Sequence, residues 1–175
     1  MIKIFSLIVA VICLNPLTAW SKDVVSDNQW TAAQAMEDFE SCYATADSIE
    51  NLKQCDYAQN CMDNADNGHT TLGMSTCFRQ EAELWDVKLN QEYKVLMKAA
   101  KHLDKIMPEA FKLESGGRAD SLLKAQRAWL QYRDAECFDE YMRGHPGSIK
   151  GIYTAICKQD LIKDRTIKLR NENDF

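Results

Sequence analysis

Three long stretches of this chain repeat their apolar residues every three or four positions, the spacing that lines up side chains on one face of an α-helix. From about Ser75 to Leu103, the stripe is Trp85, Leu89, Tyr93 (or Glu92), Leu96 and Ala100. Ser75 or Thr76 is placed to cap this helix, and Glu81 and Glu83 fall in its early turns, where the dipole favours acids. From about Ala119 to Met142, Leu122, Gln126, Trp129, Leu130, Arg133, Cys137 and Tyr141 share a stripe, with Lys124, Arg127, Gln131, Asp134 and Asp139 opposite. Gly116 and Gly117 mark its start, and the turn Gly144-His145-Pro146-Gly147 its stop. Ser148 is a natural N-cap for a third helix reaching about Arg170, along which Ile149, Ile152, Ile156, Cys157, Leu161, Arg165 and Leu169 keep helical spacing.

Upstream the pattern is shorter. Trp30 to Met36 is helix-prone, and Ser48 to Ala58 suits another short helix. Asp63 to Gly73 holds Asn64, Asp66, Asn67, Gly68 and Gly73 and is expected to be loop. Asp104 to Gly117 contains Pro108 and two glycines, a connection with room for one helical turn. Residues 171–175 are expected to fray. There is no internal repeat and no β-rich stretch. The expected fold is all-α: an antiparallel bundle of three long helices, stapled by disulfides, with a short helical extension at its N-terminal side.

The first residues carry a different signal. Lys3 precedes an apolar run from Ile4 to Cys13, ended by Asn15 and Pro16, with small residues at Ala19 and Ser21. That order describes a secretory signal peptide over residues 1–21, with cleavage after Ser21 or, as the close second, after Ala19. The run is too short to span a bilayer comfortably, so no membrane span is expected in the mature chain. Ile12 stands where a lipoprotein needs a small residue, so Cys13 belongs to the core of the signal.

Six cysteines remain: Cys42, Cys55, Cys61, Cys77, Cys137 and Cys157. An even count in an exported chain points to disulfides, and the location it implies is periplasmic or secreted. The simplest connectivity joins neighbours, closing loops on the order of 15 residues worth roughly 3 kcal/mol each. Cys55–Cys61 with Cys42–Cys77 is the alternative. If the second and third long helices form a hairpin, Cys137 and Cys157 lie about equally far from its turn and meet side by side. A metal site is not expected. No C-x-x-C pair exists, and His69, His102 and His145 are scattered.

Charge narrows the partners. The full chain stands at −5, and losing residues 1–21 removes only Lys3, leaving it one unit more negative. Such a chain is a poor partner for nucleic acid or anionic lipid and a better one for a cationic protein.

The segment Leu122 to Cys137, with Gln126, Trp129, Arg133 and Asp134 at fixed spacing, resembles the signature helix of the LprI-like lysozyme-inhibitor family. Gly147, Ser148, Cys157, Arg165 and Leu169 match its later positions. Cys77, Asp86, Leu89, Asn90 and Tyr93 match an earlier helix. The resemblance covers about residues 61–170. It implies a helical domain over 61–175, preceded by an extension over 22–60 that has no counterpart in the short family core. It supports joining Cys137 to Cys157 and Cys61 to Cys77, which leaves Cys42 for Cys55. Trp85 departs from the family pattern, standing where a small residue is usual.

The resemblance also implies the activity: binding of a protein partner, lysozyme, with no cofactor. The alternative is a periplasmic interaction or scaffolding module with another ligand. No nucleophile–base pair is visible, so no catalytic residue is assigned. Asp86, Asn90, Tyr93, Gln126, Trp129, Arg133, Asp134 and Arg165 are expected to form an interhelical polar network, with a recognition patch as the second reading. Arg133 needs a partner if buried, and Asp86 or Glu92 is the candidate. His69 and Thr70 in one loop, and His145 and Ser148 in another, are candidate partner contacts, because a disulfide beside each loop preorganises it.

Overall fold

The computed structural model describes residues 31–107 and 116–173; the expected signal peptide, Trp30 and residues 108–115 lie outside them. Among the described residues six helices follow in order: α1 (Ala32–Thr45), α2 (Ile49–Lys53), α3 (Ala58–Asn64), α4 (Thr71–Ile106), α5 (Arg118–Arg143) and α6 (Lys150–Asn173). Among the described residues there is no strand.

Three of these starts have a local cause. The Thr31 hydroxyl accepts from the Gln34 N–H, and the Ser48 hydroxyl from the Asn51 N–H, both at 3.1 Å. Thr70 caps α4 by accepting from the Gly73 N–H at 3.0 Å. The first long helix therefore begins several residues before the expected Ser75 or Thr76, and the expected loop 63–73 shrinks to the short connection after Asn64. Glycine makes so tight a connection feasible, because a Cβ on Gly68 would stand 2.0 Å from the Met62 carbonyl oxygen. The α5 start borrows its cap from another helix: the Asp104 carboxylate accepts from Arg118 N–H at 2.7 Å and Ala119 N–H at 3.0 Å. A Cβ on Gly117 would meet that carboxylate at 2.5 Å, so any other residue there pushes the Asp104 side chain off this position. Ser148 does not open the third long helix, whose first residue is Lys150. Of the residues expected to fray, Asn171 to Asn173 are helical, and the Asn173 amide donates to the Glu92 carboxylate and carbonyl; residues 174 and 175 lie outside the described residues.

The long helices run up, down and up. On α4 and α6, Ser75 approaches Gly151, Glu81 meets Gln159, and Glu92 meets Asn173. Contact positions advance together, so α4 and α6 are parallel. On α5 and α6 they run in opposition: Cys137 is bonded to Cys157, Gln126 meets Arg165, and Arg118 meets Glu172. Helix α5 is thus antiparallel to both. Helix α6 has two inner stripes, as a helix between two partners must. Ile152, Ala155, Gln159, Ile162, Thr166 and Leu169 are buried, whereas Cys157, Leu161 and Arg165 are half-buried.

The three short helices share this core. Ala35, Phe39 and Tyr43 of α1, Leu52 of α2 and Ala58 of α3 are buried in one apolar cluster with Trp85, Leu89, Leu96 and Leu169. Disulfides join Cys42 to Cys55, Cys61 to Cys77 and Cys137 to Cys157. The first ties α1 to Cys55, two residues past the end of α2. The second ties α3 to α4, and the third α5 to α6.

Candidate functional site

The most deeply placed charged side chain is Glu81, 1% exposed. Helix α4 carries it four residues before Trp85, on the stripe that faces the core. One carboxylate oxygen accepts from the backbone N–H groups of Tyr57 and Ala58, at 3.1 and 2.8 Å. The other accepts from the Trp85 indole at 3.1 Å and the Gln159 amide at 2.8 Å. The Lys163 ammonium stands 3.9 Å away. Glu81 therefore caps the start of α3 and binds α4 to α6 at once. A buried carboxylate is tolerable only when satisfied in this way. Its expected part, an early-turn acid serving the α4 dipole, is replaced by this one, because α4 starts ten residues before it.

A second junction surrounds Tyr43. Its hydroxyl donates to Glu92 at 2.8 Å. The Arg170 guanidinium donates to the carbonyls of Tyr43 and Ala46, at 2.7 and 3.0 Å, and so closes the C-terminal end of α1. Arg170 and Lys88 also lie over the Tyr43 ring, at 4.6 and 4.9 Å, and Lys88 pairs with Glu40. Burial pushes the Tyr43 hydroxyl well above its usual pKa, and the Glu92 carboxylate adds to the shift.

The residues singled out from the sequence fall into separate groups. On α5, the Trp129 ring faces two guanidinium groups, Arg133 at 5.4 Å and Arg165 at 5.9 Å. Arg165 also donates to Gln126 at 3.0 Å, so Gln126, Trp129 and Arg165 do meet across α5 and α6. Burial pushes the Arg165 guanidinium down, and Glu172 and Tyr93 oppose that shift. Arg133 does not reach α4. It pairs with its neighbour Asp134, at 2.7 Å, rather than with Asp86 or Glu92. Both expected partners are engaged elsewhere: Asp86 accepts from Asn90 one turn on, and Glu92 belongs to Tyr43 and Asn173. Tyr93 is half-buried against the core. The polar residues that do join the helices most firmly, Glu81, Gln159, Thr166 and Arg170, were not among those singled out. A signal existed, since Glu81 continues the Trp85–Leu89 stripe by one step. Gln159 and Thr166 sit on the inner face of α6, where the Thr166 hydroxyl approaches the Trp85 carbonyl at 3.2 Å.

The two exposed loops lie at one end of the bundle, since Ser75 near the start of α4 approaches Gly151 near the start of α6. His69 is exposed, with Asp63 at 3.3 Å, and Thr70 is occupied as the α4 cap. In the other loop His145 and Ser148 are exposed, and the His145–Pro146 peptide is cis. Tyr141 stacks with Phe138, its ring centroid 6.2 Å away, lies 6.3 Å from the His145 ring, and has the Lys150 ammonium at 5.0 Å. The Cys61–Cys77 and Cys137–Cys157 bridges stand behind these loops.

Along the outer side of the α5–α6 hairpin, Glu136, Glu140 and Asp160 line a shallow cleft of about 300 Å³ with Tyr132 and Tyr153. Arg143 pairs with Glu140 there. Burial pushes the Asp160 carboxyl up, Asp164 adds to the shift and Lys163 opposes it. Among the described residues, no group of three or more His, Cys, Asp or Glu side chains is placed to hold a metal ion, and no helix is long and apolar enough to cross a membrane.

Comparison with known proteins places residues 61–169, more than half of the chain, in the family described as Lysozyme inhibitor LprI. The chain is also similar to an uncharacterized protein of Rhizobium meliloti (strain 1021), 27% identical over 139 residues, covering 79% of this chain and 92% of that protein. It is 32% identical over 74 residues to the uncharacterized protein YecT of Escherichia coli (strain K12), covering 42% of this chain and 44% of YecT. No solved structure matches it at a meaningful level.

Proposed function

This chain belongs to the LprI lysozyme-inhibitor family, and from that premise we propose that it is an exported binding protein that inhibits a lysozyme by occupying it, without transforming a substrate. The family match over residues 61–169 is the observation that carries this reading. Three disulfides support an oxidising compartment, periplasmic or extracellular. A net charge of −5, one unit more negative without residues 1–21, gives such an inhibitor faster encounter with a basic enzyme, an advantage that salt erodes.

The contact belongs at the end of the bundle where His69, Thr70, His145 and Ser148 stand. These loops are exposed, and two disulfides hold their bases, so little conformational freedom is lost when a partner binds. Titrating the oxidised chain into clearing assays with c-type, g-type and i-type lysozymes tests the reading. Saturable inhibition of at least one type is expected. Full lytic activity of all three in molar excess of the chain would end it.

A further inference from the structure

A cleft opens where the first turns of α4 and α6 meet the last turns of α5. Its inner part encloses about 280 Å³ over a floor of Ala82, Gly151 and Ala155, with Tyr141 beside it. Tyr141, Thr154 and Lys158 continue into a wider concavity of about 640 Å³, bordered by Phe138 and Arg133. Ala82 and Ala155 are buried, whereas Arg79 and Lys158, which line the inner part, are exposed.

Arg133 is neutralised by Asp134, but Arg79 and Lys158 have no hydrogen bond, ion pair or ring partner among the described residues. The chain as a whole is at −5. Two unneutralised positive groups on one small, apolar-floored cleft are thus a local reversal of its field. An anion between them relieves their mutual repulsion, and an apolar group on the alanine floor leaves water.

We infer that this cleft binds an acidic–apolar peptide segment, its carboxylate held between Arg79 and Lys158 and its apolar side chain on the Ala82–Ala155 floor. A polyanion fits poorly, because the acidic remainder of the surface repels nucleic acid and anionic membranes. A segment with one or two carboxylates meets the local pair and little of that repulsion. The inference stands independently of lysozyme inhibition.

Fluorescence polarisation of the oxidised chain with a fluorescein-labelled peptide of alternating Glu and Leu tests it. Alternating Lys/Leu and Glu/Gly peptides serve as controls. The Glu/Leu peptide should bind about tenfold or more tightly than either control, and added salt should weaken it. R79E/K158E should lose about tenfold or more in affinity with an unchanged thermal melt, while K98E, an exposed reversal elsewhere on α4, should keep it. Equal binding by R79E/K158E, equal loss in K98E, or no preference for Glu/Leu would overturn the assignment. So would full displacement by decanoate at the peptide's own concentration, which would make the ligand a simple amphiphile.

Discussion

Phe39 of α1 stands edge-on to Trp85 of α4, their ring centroids 5.1 Å apart and their planes at 89°. Tyr43 approaches the same indole at 5.7 Å, and Trp85 is wholly buried beneath the two. Helix α1 lies before the residues that the family model matches, and the buried indole supplies the surface on which it docks.

Replacing Trp85 by alanine should therefore cost about 3–5 kcal/mol. The loss should be shared with Phe39, so a Trp85→Ala/Phe39→Ala double-mutant cycle should give a coupling of about 0.5–1.5 kcal/mol. Urea unfolding measures both. Strictly additive losses would mean that the two rings do not support one another.

Glu81→Gln is nearly isosteric, yet it should cost about 2–5 kcal/mol. An amide has one accepting oxygen where the carboxylate has two. Its NH2 must face either the Tyr57 and Ala58 amides or the Trp85 and Gln159 donors. The unfolding midpoint should fall with little change in slope. A fall under about 0.5 kcal/mol, the range of ordinary surface changes, would show that the junction is dispensable.

Removing the α5–α6 bridge with Cys137→Ser/Cys157→Ser should cost about 2–5 kcal/mol. Helix α5 has only Leu122 and Cys137 fully buried, so it depends on that bridge more than α4 depends on its own. Proteolysis should then cut first near residues 144–149. First cleavage in the α1–α3 region would count against this ranking.

Alkaline pH should destabilise the fold through Tyr43. Below about pH 10 the phenol is protonated in both folded and unfolded chains and contributes no pH dependence. Above it the unfolded phenol ionises first, because burial and Glu92 hold the folded one up. The unfolded state then binds fewer protons, and stability falls as pH rises. Tyr43→Phe should flatten that fall without abolishing it, since burial also raises Tyr57. Rapid urea unfolding at about pH 8 and about pH 11 compares the slopes, and identical slopes would remove Tyr43 as the cause.

Helical periodicity carries most of this architecture, because three long apolar stripes specify three long helices whatever their neighbours. Ends were less legible. Thr70 outcompetes Ser75 and Thr76 as a cap because the glycines around it allow a tight entry, and the Asn173 contact with Glu92 keeps the last turn wound. Polar partners were the least legible. A stripe shows which way Arg133 leaves its helix but not which carboxylate lies nearest in space, and Asp134 beside it forecloses a reach to α4. The part played by Glu81 requires the start of α3 to arrive from outside the long helices, which no local pattern reveals. His69, Thr70, His145 and Ser148 could be placed on loops from their glycine and proline neighbours. That these loops share one end of the bundle needed the parallel course of α4 and α6.

Arg170 holds the carbonyls of Tyr43 and Ala46, so the last helix clasps the C-terminal end of α1. Passage through a membrane, N-terminus first, delivers those partners in the wrong order, with α1 emerging long before the arginine that fastens it. Until α6 is in place, α1 has the Trp85 face but no clasp, and a chain truncated before residue 150 should leave that helix open to protease. Final locking of the N-terminal segment thus waits for the arrival of the C-terminal helix.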